Sequence, residues 1–387
     1  MNDRIPAPTG PLPTPSGDIV LLHDWLTGFR GGERVLEAFC ELFPDAPIYT
    51  LLHKVGSTSA TIESRRIETS FLNRLPGIER SYRKFLPLMP MAAQRLRIRE
   101  SARVVLSSHH CVIKGVKKPK GSVHVSYIHS PMRYMYDQYA NYFGPSASLP
   151  TRYGAKLFRK YLTDWDRASN TDVDVMIANS EFVRDRIRRY YSRDAEVVHP
   201  FVELDDFVSV QQSPPPKAES FVMITAFAPN KRVDLAIEAF NRLKLPLSII
   251  GGGQQDKELR MMAGSTIRFL GSLDRQQVIA TLAESRALIF PGIEDFGITP
   301  LEALAAGTPV IARRVGGVLE TLTEADTIFF EEPTVDSLVD ALQRFQKSNV
   351  RPDFQRLQQF SRPRFLSRMK SIIDDAATTR RPVASES

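Results

Sequence analysis

The chain has 387 residues, 42% of them hydrophobic and 25% charged, which excludes a wholly disordered, collagen-like or coiled-coil protein. At roughly 150 residues per domain, this length predicts two or three domains. No apolar run reaches the ~18 residues that a membrane-spanning helix needs. The two cysteines, Cys40 and Cys111, exclude a disulfide framework or a cysteine-based zinc site and are typical of a protein of the reducing cytoplasm.

Residues 1–17 are rich in proline, with five prolines between Pro6 and Pro15. They lack the basic and then apolar pattern of a signal peptide. We therefore predict a disordered, proline-rich leader with no export signal.

Residues 18–208 are predicted to form a first α/β domain. A buried strand is expected at 18–23, and Gly31 and Gly32 then open a helix whose apolar residues keep helical spacing. Further strands are predicted near 46–52, 103–107, 123–128, 173–178 and 195–198, with helices near 152–168 and 181–191.

Within this domain, residues 65–103 form a basic insertion with ten basic and three acidic residues. Its net charge of +7 equals that of the whole chain, and apolar residues are interleaved with the charges. Two interpretations are open: an amphipathic segment that contacts an anionic membrane surface, or a solvated helical hairpin that covers the core. Nucleic acid is not a predicted partner, because no binding motif accompanies the charge.

Residues 209–353 are predicted to form a second domain, after a triple-proline linker near 211–217. Strands are expected near 220–226, 246–250, 266–269, 286–290, 309–312 and 327–330, and helices are expected to begin near 232, 255, 274, 299, 318 and 334. This alternation predicts a parallel, doubly wound sheet that binds ligands beyond the carboxyl ends of its strands. A last helix, 354–376, is expected to cross back over both domains, and 377–387 is expected to be a flexible tail.

The segment 290–304 follows a predicted strand and opens a helix, with Thr299 as the expected N-cap and Pro300 at the first helical position. Such a helix start presents backbone N–H groups that suit a phosphate or diphosphate, and Gly297 would let a ligand approach the backbone. Glu294 is either a ligand contact or a solvated loop carboxylate. Glu302 is either a ligand contact or the partner of the cap in a capping box.

Lys231 and Arg232 follow the first strand of the same domain. Two cations at this edge of the sheet would neutralise a diphosphate, whereas without an anion they would oppose the helix dipole. Glycine runs at 251–253 and 316–317 add backbone room at the same edge. Neither run matches the dinucleotide-binding fingerprint.

His129 follows a predicted strand of the first domain. It is either a group that donates to a substrate hydroxyl or stabilises developing charge, or a loop histidine without a catalytic role. His109 and His110 lack a third ligand at a suitable spacing, so we predict no metal site.

Together these residues resemble the retaining nucleotide-sugar glycosyltransferases of family 4 (GT4), which have the GT-B fold. The resemblance runs from about residue 20 to residue 365 and rests most firmly on Glu294 and Glu302 within EDFGITPLEALAAGTPVIA. The sequences HDWL at 23–26, LPLMP at 86–90 and HSPMRY at 129–134 resemble mannosyltransferases that build bacterial O-antigen and exopolysaccharide repeats.

The resemblance implies two Rossmann-like domains that face a cleft, with the acceptor on the first and the nucleotide sugar on the second. It implies that Glu294 contacts the transferred hexose, that Glu302 contacts the donor ribose and that Lys231 neutralises the diphosphate. The implied catalytic residues are His129, Lys231, Arg232 and Glu294. The implied donor-binding residues are Gly31, Gly32, Lys231, Arg232, Gly252, Glu294, Phe296, Gly297, Ile298, Thr299 and Glu302. Many family members carry an arginine where this chain has Ala226, and Arg232 is the candidate replacement.

The implied activity is that of a hexosyltransferase that moves mannose from GDP-mannose to a lipid-linked saccharide with retention of configuration. No metal or other cofactor is expected, and the expected location is the cytoplasm, at the inner face of the cytoplasmic membrane. Three alternatives stay open: another donor such as UDP-glucose or UDP-galactose, a non-catalytic GT-B partner in a polysaccharide assembly complex, and a nucleotide-sugar epimerase.

Overall fold

Two β-sheets organise the computed structural model, which describes residues 18–144 and 147–379. The predicted leader at 1–17 and most of the predicted tail lie outside the described residues. By backbone packing the chain divides into two compact units. The first comprises the described residues up to Ile128, Asp164–Ile177 and the described residues from Leu366 onward, and the second comprises the described residues of His129–Thr163 and Ala178–Phe365.

The strands of the first sheet are β1 (Ile19–Leu26), β2 (Ile48–His53), β3 (Ile67–Thr69), β4 (Val104–His109), β5 (Val123–Ile128), β6 (Val175–Ala178) and β7 (Glu196–Val197). Their order across the sheet is β3-β2-β1-β4-β5-β6-β7, and every pair whose register is described is parallel. The helices of this half are α1 (Gly31–Leu42), α2 (Ala60–Glu63), α3 (Ile78–Ser81), α4 (Met89–Arg95), α5 (Tyr139–Phe143), α6 (Leu149–Ala168) and α7 (Glu181–Tyr191).

The strands of the second sheet are β8 (Phe221–Ile224), β9 (Leu247–Ile250), β10 (Ile267–Gly271), β11 (Leu288–Phe290), β12 (Val310–Arg313) and β13 (Thr327–Phe330). Their order is β10-β9-β8-β11-β12-β13, with parallel pairing throughout. The helices are α8 (Val208–Gln212), α9 (Val233–Leu243), α10 (Asp256–Met262), α11 (Arg275–Glu284), α12 (Ile298–Ala305), α13 (Val318–Thr321), α14 (Val335–Lys347) and α15 (Arg362–Thr379). The predicted α/β class with two doubly wound sheets is confirmed.

Apolar cores lie on both faces of the second sheet, because successive strand residues point to opposite faces. Phe221 and Met223 belong to the core that includes α9 and α14. Val222, between them, belongs to the core that includes α12. This two-sided burial accounts for the continuous apolar runs of the strands.

The strand order of each sheet reverses at its centre, between β1 and β4 in the first sheet and between β8 and β11 in the second. Open α/β sheets bind ligands beyond the carboxyl ends of the strands at such a switch point. In the second sheet, the loops concerned are 225–232 and 291–297. These are the loops that carry the predicted lysine, arginine and first glutamate.

The basic insertion at 65–103 contains short elements and not the helical hairpin that one of the two interpretations expects. β3 joins the edge of the first sheet, and α3 and α4 are separated by a 3-10 turn at Tyr82–Leu88 that contains Pro87. A second proline, Pro90, stands in the first turn of α4, which is where a helix tolerates this residue. Nine residues of the insertion belong to the apolar core and are at most 8% exposed: Leu72, Ile78, Tyr82, Met89, Ala92, Ala93, Leu96, Ile98 and Ala102. The structure thus favours a solvated cover over the core.

The segment predicted as one last helix is divided into a 3-10 turn at Gln355–Phe360 and α15. Pro363 explains the division, because proline is accommodated in the first turn of a helix and not in its interior. In the part of the chain that the structure describes, no helix combines the length and apolar character needed to cross a membrane.

Candidate functional site

The two loops at the switch point of the second sheet are in direct backbone contact. The Ile293 N–H donates to the carbonyl of Asn230 over 3.2 Å. A Cβ atom added to Gly292 would lie 2.8 Å from that carbonyl oxygen and 2.8 Å from the Cα of Lys231, closer than side-chain carbons approach backbone. Glycine at 292 is therefore required for this approach, and the sequence analysis did not identify it.

Lys231 and Glu294 meet as an ion pair between these loops, the lysine Nζ contacting the carboxylate Oε1. Their side chains keep 16% and 24% of their surface exposed, so both remain open to a ligand. Burial lowers the pKa of Lys231 to about 7, the positive charge of Arg133 acts in the same direction, and Asp295 opposes both. A bound anion would raise this pKa again, because it favours the charged form of the lysine.

Arg232 is held elsewhere by its own partners. Its backbone is in the left-handed region, with φ at 52°, between the 3-10 turn at Pro229–Lys231 and α9. The guanidinium pairs with Asp234 at 3.0 Å and donates to the carbonyl of Pro333 at 3.3 Å. Its contact with a diphosphate stays a prediction, and this contact would compete with Asp234.

Asp295, the residue after Glu294, is the centre of a buried ionic network. It is 5% exposed, and its Oδ1 accepts from Arg186 at 2.6 Å while its Oδ2 contacts Arg133. Arg186 also pairs with Asp137 at 2.7 Å. Sequence reasoning missed this network, although Arg133 belongs to the HSPMRY motif and the aspartate to the glutamate motif. The network fixes the backbone that carries Glu294.

The loops after β5 and β6 are joined to the same region. The side-chain amide of Asn179 donates to the carbonyl of His129 at 3.1 Å. The Ser180 hydroxyl accepts from the Val183 N–H at 3.1 Å, capping α7, and donates to the carbonyl of Asp295 at 2.5 Å. His129 is half-buried at the end of β5, and its role toward a sugar stays a prediction.

The start of α12 differs from the prediction. The helix begins at Ile298, and Gly297, with φ at 95°, is the N-cap. Glycine takes this left-handed conformation without steric cost, so the chain turns into the helix before Thr299. Thr299 is therefore the second helical residue and Pro300 the third, and the predicted cap and capping box are wrong.

Glu302 is 7% exposed and pairs with a different residue from the one predicted. Its Oε1 accepts from the guanidinium of Arg275 at 2.5 Å, and Arg275 also pairs with Asp206 at 2.8 Å. Each oxygen of a carboxylate can accept more than one hydrogen bond, so a ligand hydroxyl could bind Glu302 beside Arg275. The arginine lies at the first position of α11, and no signal in the glutamate motif points to it.

Other predicted donor contacts occupy varied environments. The Phe296 side chain is 3% exposed and stacks on His199 with ring centroids 5.4 Å apart, so it supports the loop from within the core. Gly252 lies beyond the neighbouring strand β9, and its carbonyl accepts from the Phe227 N–H at 3.0 Å. Ile298 packs partly against the apolar core that includes α12.

The switch point of the first sheet has another arrangement. Gly31 and Gly32 form the first turn of α1. Asp24, fully buried in β1, accepts three backbone N–H groups from the loop after β4. The donors are His110, Cys111 and Ile113, at 2.7, 2.8 and 2.9 Å.

Potential metal ligands are dispersed. Within residues 18–144 and 147–379, no three histidine, cysteine, aspartate or glutamate side chains are grouped as a metal site.

Comparison with known families and proteins gives consistent matches. Residues 29–206 match the family model "Glycosyltransferase Family 4", and residues 206–362 match "Glycosyl transferases group 1". The alpha-1,3/1,6-mannosyltransferase ALG2 of Homo sapiens is 28% identical over 47% of this chain and 52% of its own length. A GDP-mannose-dependent monoacylated alpha-(1-6)-phosphatidylinositol monomannoside mannosyltransferase of Corynebacterium glutamicum is 30% identical over 46% and 54%. The chain thus spans about half the length of these curated relatives.

Solved structures share the fold across nearly the whole chain. Sucrose-phosphate synthase from Thermosynechococcus elongatus has a TM-score of 0.70 at 17% identity, covering 94% of this chain and 100% of that one. HepE of Anabaena in complex with UDP-glucose has a TM-score of 0.65 at 14% identity, covering 92% and 99%. With both domain models matched in succession and this architecture, the chain belongs to family 4 of the glycosyltransferases and has the GT-B fold.

Proposed function

We propose that the protein is a retaining hexosyltransferase that transfers mannose from GDP-mannose to a hydroxyl of a lipid-linked saccharide. The observation that carries this proposal is the Lys231–Glu294 pair at the switch point of the second sheet. The pair offers a cation and a carboxylate, which match the diphosphate and the sugar hydroxyls of a nucleotide sugar. A ligand would take over the contacts that each now makes with the other.

Departure of the nucleoside diphosphate is the difficult step of such a transfer. The bond between the sugar anomeric carbon and the diphosphate oxygen breaks, and the acceptor oxygen bonds to the same carbon from the departing face. The acceptor proton passes to a phosphate oxygen of the donor. Lys231 would stabilise the negative charge that grows on the leaving group, and therefore the proposal invokes no metal.

The carboxylates of the site hold the two ends of the donor in this proposal. Glu294 accepts hydrogen bonds from the transferred hexose, and Glu302, which is buried beside Arg275, accepts them from the ribose. His129 donates to the hexose or stabilises its developing charge.

The choice of donor follows the names of the relatives. One is described as GDP-mannose-dependent and several as mannosyltransferases. The HDWL, LPLMP and HSPMRY sequences support a role in bacterial surface polysaccharide synthesis, O-antigen or exopolysaccharide, at the inner face of the cytoplasmic membrane. The UDP-hexoses are the competing donors.

The test is a donor panel followed by a transfer assay. Purified protein is heated with GDP-mannose, UDP-glucose or UDP-galactose, and GDP-mannose should raise the unfolding temperature most, because only a bound ligand stabilises the folded state. The best donor is then incubated with lipid-linked saccharides, and nucleotide release is measured. Stabilisation by a UDP-hexose alone would overturn the assignment of GDP-mannose as the donor. Donor binding without nucleotide release or transfer would overturn the proposed transferase activity and favour a non-catalytic partner.

A further inference from the structure

Helix α6 exposes an unusual amount of apolar surface. Of the thirteen large hydrophobic side chains exposed within residues 18–144 and 147–379, five lie in this one helix. They are Leu149, Tyr153, Leu157, Phe158 and Tyr161. Contiguous apolar surface of this kind marks an interaction site in a water-soluble fold.

Four of these side chains form a continuous row, because they recur every fourth residue. The row consists of Leu149, Tyr153, Leu157 and Tyr161, exposed by 62, 72, 74 and 44%. Helical residues four positions apart lie one above another on the same face. The row therefore extends along more than three turns of the helix.

A basic row borders the apolar row. It consists of Arg152, Lys156 and Lys160, which are all exposed. Lys156 follows Tyr153 by three positions, and Lys160 follows Leu157 by three, so each lies next to an apolar neighbour on the helix surface. An apolar stripe with a cationic edge is the pattern of a helix that lies in the interface of an anionic bilayer.

The opposite side of α6 is attached to the protein. Arg159 donates to the carbonyl of Met135 at 3.1 Å, and its guanidinium lies 4.1 Å from the ring centre of Tyr139. Leu162 is 1% exposed. The protein therefore holds the inner side of the helix in place and leaves the two rows outward.

The basic insertion at 65–103 lacks this combination. Its apolar side chains are largely buried, and the two large ones that are exposed, Leu75 and Leu88, are 37% and 42% exposed and thirteen positions apart. Arg83 and Lys84 are exposed without an apolar row beside them. The insertion has charge but no apolar stripe to enter a bilayer.

We propose that α6 is the surface by which this protein docks on an anionic membrane, with the apolar row inserted among the acyl chains and the basic row against the headgroups. Charge complementarity selects anionic lipid as the occupant, because the basic row lies along the whole exposed stripe. The proposal requires neither a particular donor nor a particular acceptor. Docking here would be compatible with a lipid-linked substrate.

The experiment measures sedimentation of the full chain with vesicles, without donor or acceptor. Vesicles of phosphatidylcholine alone are compared with vesicles that also contain phosphatidylglycerol. Two charge-reversal variants with the same change in net charge form a matched pair: Arg152→Glu with Lys156→Glu on α6, and Arg83→Glu with Lys84→Glu on the insertion. A second pair changes apolar residues to serine, at Tyr153 and Leu157 on α6 and at Leu75 and Leu88 on the insertion.

We expect wild-type protein to bind the anionic vesicles and both insertion variants to bind them equally well. The α6 charge reversal should weaken binding by at least about tenfold, because each basic residue near an anionic surface adds attraction, and the serine variant should also release the protein. Unchanged thermal unfolding of the α6 variants shows that they are folded. Three binding results would overturn the proposal: wild-type binding by folded α6 variants, no binding by the wild type, or equal binding to neutral vesicles. It would also be overturned by a dimer in ultracentrifugation that the serine variant at Tyr153 and Leu157 dissociates.

Discussion

The two sheets have switch points of the same topology but of different chemistry. At the first, Asp24 is fully buried and its carboxylate is occupied by three backbone N–H groups. At the second, Glu294 is partly exposed and is held by a single lysine side chain. Both switch points carry a carboxylate, and the contacts that the surrounding loops make with it differ. Backbone N–H groups hold Asp24 in a structural role, whereas the contact of Glu294 is a side chain that a ligand could displace.

The sharpest test of this comparison is Asp24→Ala. Losing the carboxylate leaves three backbone N–H groups without their acceptor, and at about 1–3 kcal/mol for each buried donor we expect the unfolding free energy to fall by at least about 3 kcal/mol. Urea unfolding measures the change. Glu294→Ala is the control and should lower the unfolding free energy by less than Asp24→Ala does, because the Glu294 side chain is partly exposed and its loss leaves no set of buried backbone donors without an acceptor. Similar losses in both variants would remove the distinction between the two switch points.

The second test removes the cation of the second switch point. Lys231→Met should lower turnover by about 10²–10³-fold, since removing one electrostatic donor of a developing anion costs ~2.7–4 kcal/mol. Arg232→Ala should lower turnover less, because its guanidinium is held by Asp234 and Pro333. Steady-state rates with saturating donor decide the matter. A larger loss for Arg232→Ala would reassign the diphosphate contact to that residue.

The third test separates the two loops of the second switch point. Gly292→Ala adds a Cβ that meets the Asn230 carbonyl and the Cα of Lys231, so the loops must move apart. Overpacking of this kind costs about 1–3 kcal/mol, and donor binding should weaken as well. Gly154→Ala is a matched control, because its added Cβ meets nothing within 4 Å. A donor affinity equal to that of the wild type would show that loop contact is not needed.

The smallest expected effect is a pH dependence of donor binding. The free protein has a Lys231 pKa of about 7, and an anionic donor raises this pKa because it favours the charged form. GDP-mannose affinity should therefore be highest below pH 7 and should fall as the pH rises through that value, by up to about tenfold per unit. Calorimetry over this range measures it. Lys231→Arg keeps its charge over this range, so its donor affinity should not change with pH. An equally steep pH dependence in that variant would assign the titration to another group.

The sequence indicates which residues belong to the candidate site, but it does not indicate the contacts that these residues make. Lys231 and Glu294 were found because each follows a strand of an alternating pattern, and the carboxyl ends of parallel strands meet at one edge. Asp295 with Arg133 and Arg186 was missed, because these partners are far apart in sequence. The prediction that Thr299 is the N-cap of α12 was wrong, because Gly297 in the left-handed conformation is the N-cap and the helix begins at Ile298.

The sequence alone determined where the strands lie and where the helices begin, because these features depend on residues that are near one another in the chain. The six strands and the helix starts of the second sheet lie within two residues of their predicted positions, because apolar periodicity and strand-to-helix spacing are local properties. Gly31 and Gly32 likewise open α1 as predicted.

Tertiary structure decided which apolar residues are buried and which charges are paired. The insertion at 65–103 and helix α6 both mix basic and apolar residues, yet the first packs its apolar side chains against the core and the second leaves five of them exposed. The edge strand β3 is three residues long, too short for a periodic signal, and exists because β2 offers a free edge. Burial and pairing depend on distant segments meeting, and a local pattern contains no information on which segments meet.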